Sequence, residues 1–182
     1  LVLSNNNKSD PALMGAAYIM GYEVLSRMTS AAISYEFAKY MVIVFLIIGM
    51  FYRGFHRKSW PYILFLFLLV PGIIFSAINL NYDTNVGNAI GFNLSGPVCL
   101  AFSALYCFER KMSFDRLQKI LICILLPLVT TVAYLFFYTP DLRDALSGTG
   151  SNFAASGGFG PNQVSTLLGL GMFAFTVRFF FK

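Results

Sequence analysis

Charge is what this sequence has least of. Only 12% of the 182 residues are Asp, Glu, Lys or Arg, and 57% are hydrophobic; an average soluble domain carries about 25% charged residues. That shortage excludes an ordinary soluble domain of this length, and a mean hydropathy of +0.68 marks an integral membrane protein. Cysteine is also scarce. Cys99, Cys107 and Cys123 show no CxxC spacing and each falls in an apolar run, so they read as small apolar residues, excluding a disulfide framework or a thiolate metal site. His56 is the only histidine and stands in a basic stretch, where it reads as a surface residue near lipid headgroups. No metal or other cofactor is expected. Nucleotide and hydrolase motifs are missing too: the glycines of Gly157-Gly158-Phe159-Gly160 follow no strand, and Ser156 lacks the strand-turn-helix setting of a hydrolase nucleophile.

Long apolar runs are what the sequence has instead. They predict an all-α, polytopic transmembrane helix bundle, a single incomplete domain over residues 1–182, with five spans at 36–52, 62–80, 89–108, 120–138 and 162–181. Residues 11–28 form a sixth, short segment, because Glu23 interrupts its uncharged run well before the ~20 residues that cross a bilayer. That segment either spans or lies at the interface. Residues 1–10 read as a polar loop. Pro71, Pro97 and Pro127 fall inside spans, where neighbouring helices must accommodate the broken ladder. The sequence has no Met at position 1 and reads as part of a longer protein.

The net charge of +5 sits in patches between the spans and not in a nucleic-acid footprint, so no nucleic-acid partner is expected. Loops 53–59 and 109–119 and the end at Arg178 to Lys182 are basic, whereas 79–88 and 139–160 are not. The two sets alternate. The positive-inside rule then predicts the basic loops in the cytoplasm and loops 79–88 and 139–160 outside, with Lys8 cytoplasmic if 11–28 spans.

One stretch offers chemistry. Ala154 to Gly171 passes from a glycine-rich loop through Gly160-Pro161-Asn162-Gln163 into an apolar helix. Glycines before Pro161 allow a tight turn, and Pro161 suits the first helical position, where its missing N–H costs nothing. The remaining first-turn amides, beside Gly160, Asn162 and Gln163, offer a seat for an anion such as a diphosphate; alternatively they form a well-made junction that binds nothing. Arg143 shares the same outward loop. Its guanidinium either forks onto a phosphate or pairs locally with Asp141 or Asp144. Tyr138, Phe153 and Phe159 stack on a sugar or anchor in the interface. Gly169 and Gly171 read as sites of close helix approach.

Gly157-Gly-Phe-Gly-Pro-Asn-Gln-Val-Ser-Thr-Leu-Leu-Gly-Leu-Gly171, after an outward polar loop, resembles the corresponding region of the O-antigen ligase and polysaccharide polymerase family of bacterial inner-membrane proteins. Gly21 to Met28, Tyr35 to Tyr40 and Gly96 to Cys99 are also similar to segments of that family. The resemblance implies a fragment of a larger, multi-helix, metal-independent membrane glycosyltransferase. Such an enzyme moves a glycan from a polyprenyl-diphosphate carrier to an acceptor saccharide or lipid at the periplasmic face. It also implies a catalytic histidine outside residues 1–182, so this chain would supply binding: Arg143, Gly160, Asn162 and Gln163 toward the diphosphate. The family's arginine just ahead of the glycine-rich segment has no counterpart beside Ser156, and Arg143 is the candidate for its role. The rival readings are a transporter or lipid-linked glycan flippase, which kinked helices also suit, and a non-catalytic membrane subunit.

Overall fold

The computed structural model describes residues 6–31, 34–79, 86–138 and 153–181. These residues are helical and contain no strand. The helices are α1 (Pro11–Met28), α2 (Phe37–Arg53), α3 (Trp60–Asn79), α4 (Val86–Cys107), α5 (Phe114–Tyr138) and α6 (Pro161–Phe180), with short 3-10 turns at Arg57–Ser59 and Ala154–Ser156. Four stretches are long and apolar enough to cross a membrane: Arg57–Ile78, Ala89–Cys107, Phe114–Tyr138 and Pro161–Phe180. Pro71, Pro97 and Pro127 lie within α3, α4 and α5, each of which continues through its proline.

The large side chains that face outward are apolar. Phe67, Leu68, Phe75 and Ile78 on α3, Phe136 and Phe137 on α5, and Phe173 and Phe175 on α6 are all more than three-fifths exposed. In water that surface would forgo about 25 cal/mol for each Å² left unburied. In a bilayer it is the ordinary lipid-facing side, because acyl chains are as apolar as Phe or Leu.

The chain divides into two compact units, one of residues 1–16 and 39–112, the other of residues 17–38 and 113–182. In the first, Leu46, Tyr106 and Ala16 form a buried cluster with Leu13, Val42, Phe45 and Met50 against it. The segment before α1, expected as a simple loop, is tied into this unit. Asn7 is fully buried; its Nδ2 donates to the Tyr106 hydroxyl at 3.0 Å and to the Gly49 carbonyl at 3.4 Å, and its Oδ1 accepts from the Ala12 amide at 3.1 Å. Asp10 is 1% exposed and accepts from Arg53 at 2.6 Å and from Arg110 at 3.3 Å. Buried polar groups of this kind persist only when fully partnered.

In the second unit, Val24 and Leu25 of α1, Ile120, Leu121, Ile124 and Leu128 of α5, and Val164, Leu167 and Ala174 of α6 form the core. Gln118, near the start of α5, donates to the carbonyl of Phe181 after the end of α6, while a Cβ on Gly157, just before α6, would meet Leu135 near the end of α5. The two helices are therefore antiparallel. α1 crosses α5 at Gly21, where an added Cβ would stand 2.6 Å from the Ile124 carbonyl oxygen and 2.8 Å from the Pro127 ring. Gly171 meets Leu128 in the same way, at 3.0 Å, whereas Gly169 faces open space, so only one of the two glycines expected at close approaches serves as one. This packing brings the last turn of α1 beside the first turn of α6.

Candidate functional site

The chemistry-bearing groups of the second unit meet where α1 ends and α6 begins. The turn ahead of α6 is shaped by two left-handed residues, Gly157 (φ 67°) and Gly158 (φ 75°), a conformation that costs a residue with a Cβ roughly 1–2 kcal/mol. The Gly158 amide donates to the Phe153 carbonyl at 2.8 Å, closing the turn. Ser156 is buried, and its hydroxyl lies between the carbonyl oxygens of Phe153, at 3.0 Å, and Phe159. That hydroxyl fastens the turn.

Gly160 caps α6 and Pro161 opens it. The Gly160 carbonyl accepts from the amides of Gln163 at 3.0 Å and Val164 at 3.2 Å, while the Asn162 carbonyl accepts from the hydroxyls of Ser165 at 3.0 Å and Thr166 at 2.7 Å. The amide of Asn162 has no acceptor among the described residues. It lies at the positive end of the helix dipole.

Arg27, in the last turn of α1, completes the cluster. Its Nη1 donates to Oε1 of Gln163 at 3.0 Å, and its Nη2 is paired with the Glu23 carboxylate one turn earlier. The guanidinium carbon lies 4.0 Å from the centre of the Tyr35 ring and 5.6 Å from that of Phe159. Nε2 of Gln163 reaches the Tyr35 hydroxyl at 3.4 Å. The Arg27 side chain is 7% exposed, yet Tyr35, Asn162 and Gln163 around it are exposed. A fixed, nearly desolvated guanidinium thus stands beside an open rim of amides and an aromatic face. A guanidinium can donate two parallel N–H bonds to the oxygens of a carboxylate or a phosphate, a fork that an ammonium cannot reproduce.

Of the residues expected from sequence, Gly160, Asn162 and Gln163 fall together at this helix start. Arg143, with Asp141 and Asp144, lies outside the described residues. Phe159, expected to stack or anchor, faces Arg27. Sequence reading passed over Arg27, Glu23 and Tyr35. The signal was present, since two opposite charges four residues apart on an apolar helix can neutralise each other.

Among the described residues no group of His, Cys, Asp and Glu is arranged to hold a metal ion. A larger cleft, about 490 Å³, lies between α3 and α4 of the first unit. Leu69, Ile73, Phe75, Ile90 and Leu94 are among the groups lining it, with Asn93 and Ser76 as polar members, and none of the described residues lining it is ionic. No family model, no curated protein and no solved structure matches the chain.

Proposed function

We propose that this chain is the N-terminal membrane part of an O-antigen ligase-like or polysaccharide polymerase-like glycosyltransferase, acting on a polyprenyl-diphosphate-linked glycan at the periplasmic face of a bacterial inner membrane. In this reading α2, a 17-residue helix, also crosses, giving five spans with α1 as a sixth, short one, within one incomplete transmembrane domain. Loops 79–88 and 139–160 face the periplasm.

The observation that carries the reading is the Arg27–Gln163 contact at the start of α6, inside the segment that resembles that family. A transferase of this kind needs a cation held at the membrane surface to receive the charge that appears when the bond between the sugar's anomeric carbon and the diphosphate oxygen breaks. The acceptor hydroxyl gives its proton to a base, its oxygen bonds to the anomeric carbon, and the lipid diphosphate leaves with the electron pair. Arg27, the Asn162 amide and Gln163 would stabilise that leaving group, in concert with Arg143 if the outward loop brings it there. Glu23 holds the Arg27 fork in place until phosphate oxygens compete for it. Tyr35 and Phe159 would lie beside the first sugar or the lipid. The resemblance assigns the base to a histidine outside these residues.

The test is glycan transfer by the intact protein in membranes. Arg27→Ala, which removes a charge-assisted contact, is expected to lower transfer by about tenfold or more, since such bonds are worth roughly 1.5–3 kcal/mol. Arg27→Lys is expected to recover part of it, and Arg143→Ala and Asn162→Ala to lower it, with insertion unchanged throughout. Wild-type transfer in Arg27→Ala would return the cluster to a packing role and leave transport or a non-catalytic subunit as the reading.

A further inference from the structure

The first unit holds a second concentration of charge, where α2 and α4 end and α3 begins. A cavity of about 300 Å³ there is lined by Arg53, Phe55, His56, Phe108, Glu109 and Arg110, among others. We propose that this cavity binds the phosphate of an anionic lipid headgroup between the guanidinium groups of Arg53 and Arg110.

Both guanidinium groups are fixed by the fold before any ligand arrives. Arg53 donates from Nη1 to Asp10 at 2.6 Å and from Nη2 to the Lys8 carbonyl at 2.5 Å. Arg110 donates from Nε to the Tyr106 carbonyl at 2.9 Å and from Nη1 to Asp10 at 3.3 Å, and its guanidinium carbon stacks 3.9 Å from the Tyr106 ring centre. Tyr106 is itself 1% exposed and held by Asn7, so Arg110 rests on an immobile ring. A guanidinium has five N–H donors. Each of these gives two to the fold, and donors remain on both.

With His56 neutral, Arg53 and Arg110 are balanced by Asp10 and Glu109, and the excess positive charge comes from the basic residues beside them in sequence. One buried oxygen of Asp10 serves both arginines. Glu109, the carboxylate that lines the cavity, stands 3.3 Å from Nε2 of His56. Arg57, Lys58 and Lys111 follow in sequence beside the lining residues. Two left-handed residues, Gly54 (φ 64°) and Glu109 (φ 51°), turn the chain away after α2 and α4 and shape the rim.

The lipid origin of the phosphate follows from the neighbourhood. α4 is long and apolar enough to cross a membrane and ends at this cavity, as the span Arg57–Ile78 begins there. Phe51 (85% exposed), Phe55 (57%) and Trp60 (60%) present apolar rings at the same helix ends, the level at which aromatic side chains meet headgroups. Basic pockets between membrane helices take anionic headgroups by this combination of forked cations and apolar surround. A soluble phosphate would find the cations and gain nothing from the rings. The inference stands whether or not the chain transfers glycans.

The test uses the purified full chain in detergent, titrated with phosphatidylglycerol, phosphatidylcholine and glycerol 3-phosphate, with bound lipid counted by native mass spectrometry and stability followed by thermal unfolding. Phosphatidylglycerol is expected to bind at least about tenfold more tightly than phosphatidylcholine. R53Q with R110Q is expected to abolish that preference. Should the double variant fail to fold for want of partners to Asp10, R53K with R110K keeps the charge and loses the fork, and is expected to bind phosphatidylglycerol at least about threefold more weakly. Equal binding of the two lipids by the wild type, or a preference unchanged in whichever of the two double variants folds, overturns the site. Stabilisation by glycerol 3-phosphate equal to that by phosphatidylglycerol overturns its assignment to lipid.

Discussion

A guanidinium on an apolar helix loses water that only fixed partners can replace, and Arg27 has Glu23, Gln163 and the faces of Tyr35 and Phe159. Asp10 is the mirror case, a carboxylate 1% exposed that survives because Arg53 and Arg110 converge on it. Asp10→Ala would leave two guanidinium groups facing each other without their shared anion. It is expected to cost about 3 kcal/mol in unfolding free energy, the scale of breaking a buried pair; denaturant unfolding in detergent would measure it, and a loss within error of zero would contradict the burial. The helix start at Gly160 and Pro161 was legible in sequence because proline at the first helical position and glycines ahead of it fix it locally. Arg27 was not, because counting uncharged runs treats every charge as the end of a span, whereas Glu23 and Arg27 pair within an unbroken 18-residue helix. Asn7 and Asp10 were missed for another reason: their partners lie 99 residues away at Tyr106 and 43 and 100 residues away at Arg53 and Arg110, and no local pattern announces such contacts.

At the scale of elements, hydropathy alone located the four helices that are long and apolar enough to cross, since burial in lipid demands a run of apolar residues and little else. The helix that carries the apolar run 120–138 is longer than that run. The helix begins at Phe114, and its first turns carry Asp115, Arg116 and Lys119, charges that a helix can extend into water beyond the apolar run. What hydropathy could not supply was packing. Gly21 lets α1 approach the α5 backbone, and Gly21→Ala, with its Cβ 2.6 Å from a carbonyl oxygen that cannot swing away, is expected to destabilise by about 1–3 kcal/mol. Gly169→Ala adds the same methyl where nothing lies within 4 Å, and is expected to be neutral or stabilising by up to about 1 kcal/mol. Thermal unfolding of the pair separates the two positions, and equal shifts would contradict the crossing at Gly21.

For the whole molecule, the apolar outer surface and four crossing-length helices make a multi-pass membrane protein, and the division into two compact units was nowhere visible in composition or charge. On the proposed topology, read from the alternation of basic and non-basic loops, the start of α6 belongs to the periplasmic side. Glycan transfer requires that the turn at 153–160 share a compartment with the lipid-diphosphate sugar. A single cysteine at Phe153, 61% exposed, in a chain whose Cys99, Cys107 and Cys123 are replaced, tests that placement most directly. A membrane-impermeant maleimide added from the periplasmic side is expected to label it with the inner membrane intact; labelling only after that membrane is permeabilised would set the Arg27–Gln163 cluster on the cytoplasmic side and contradict the proposed transfer.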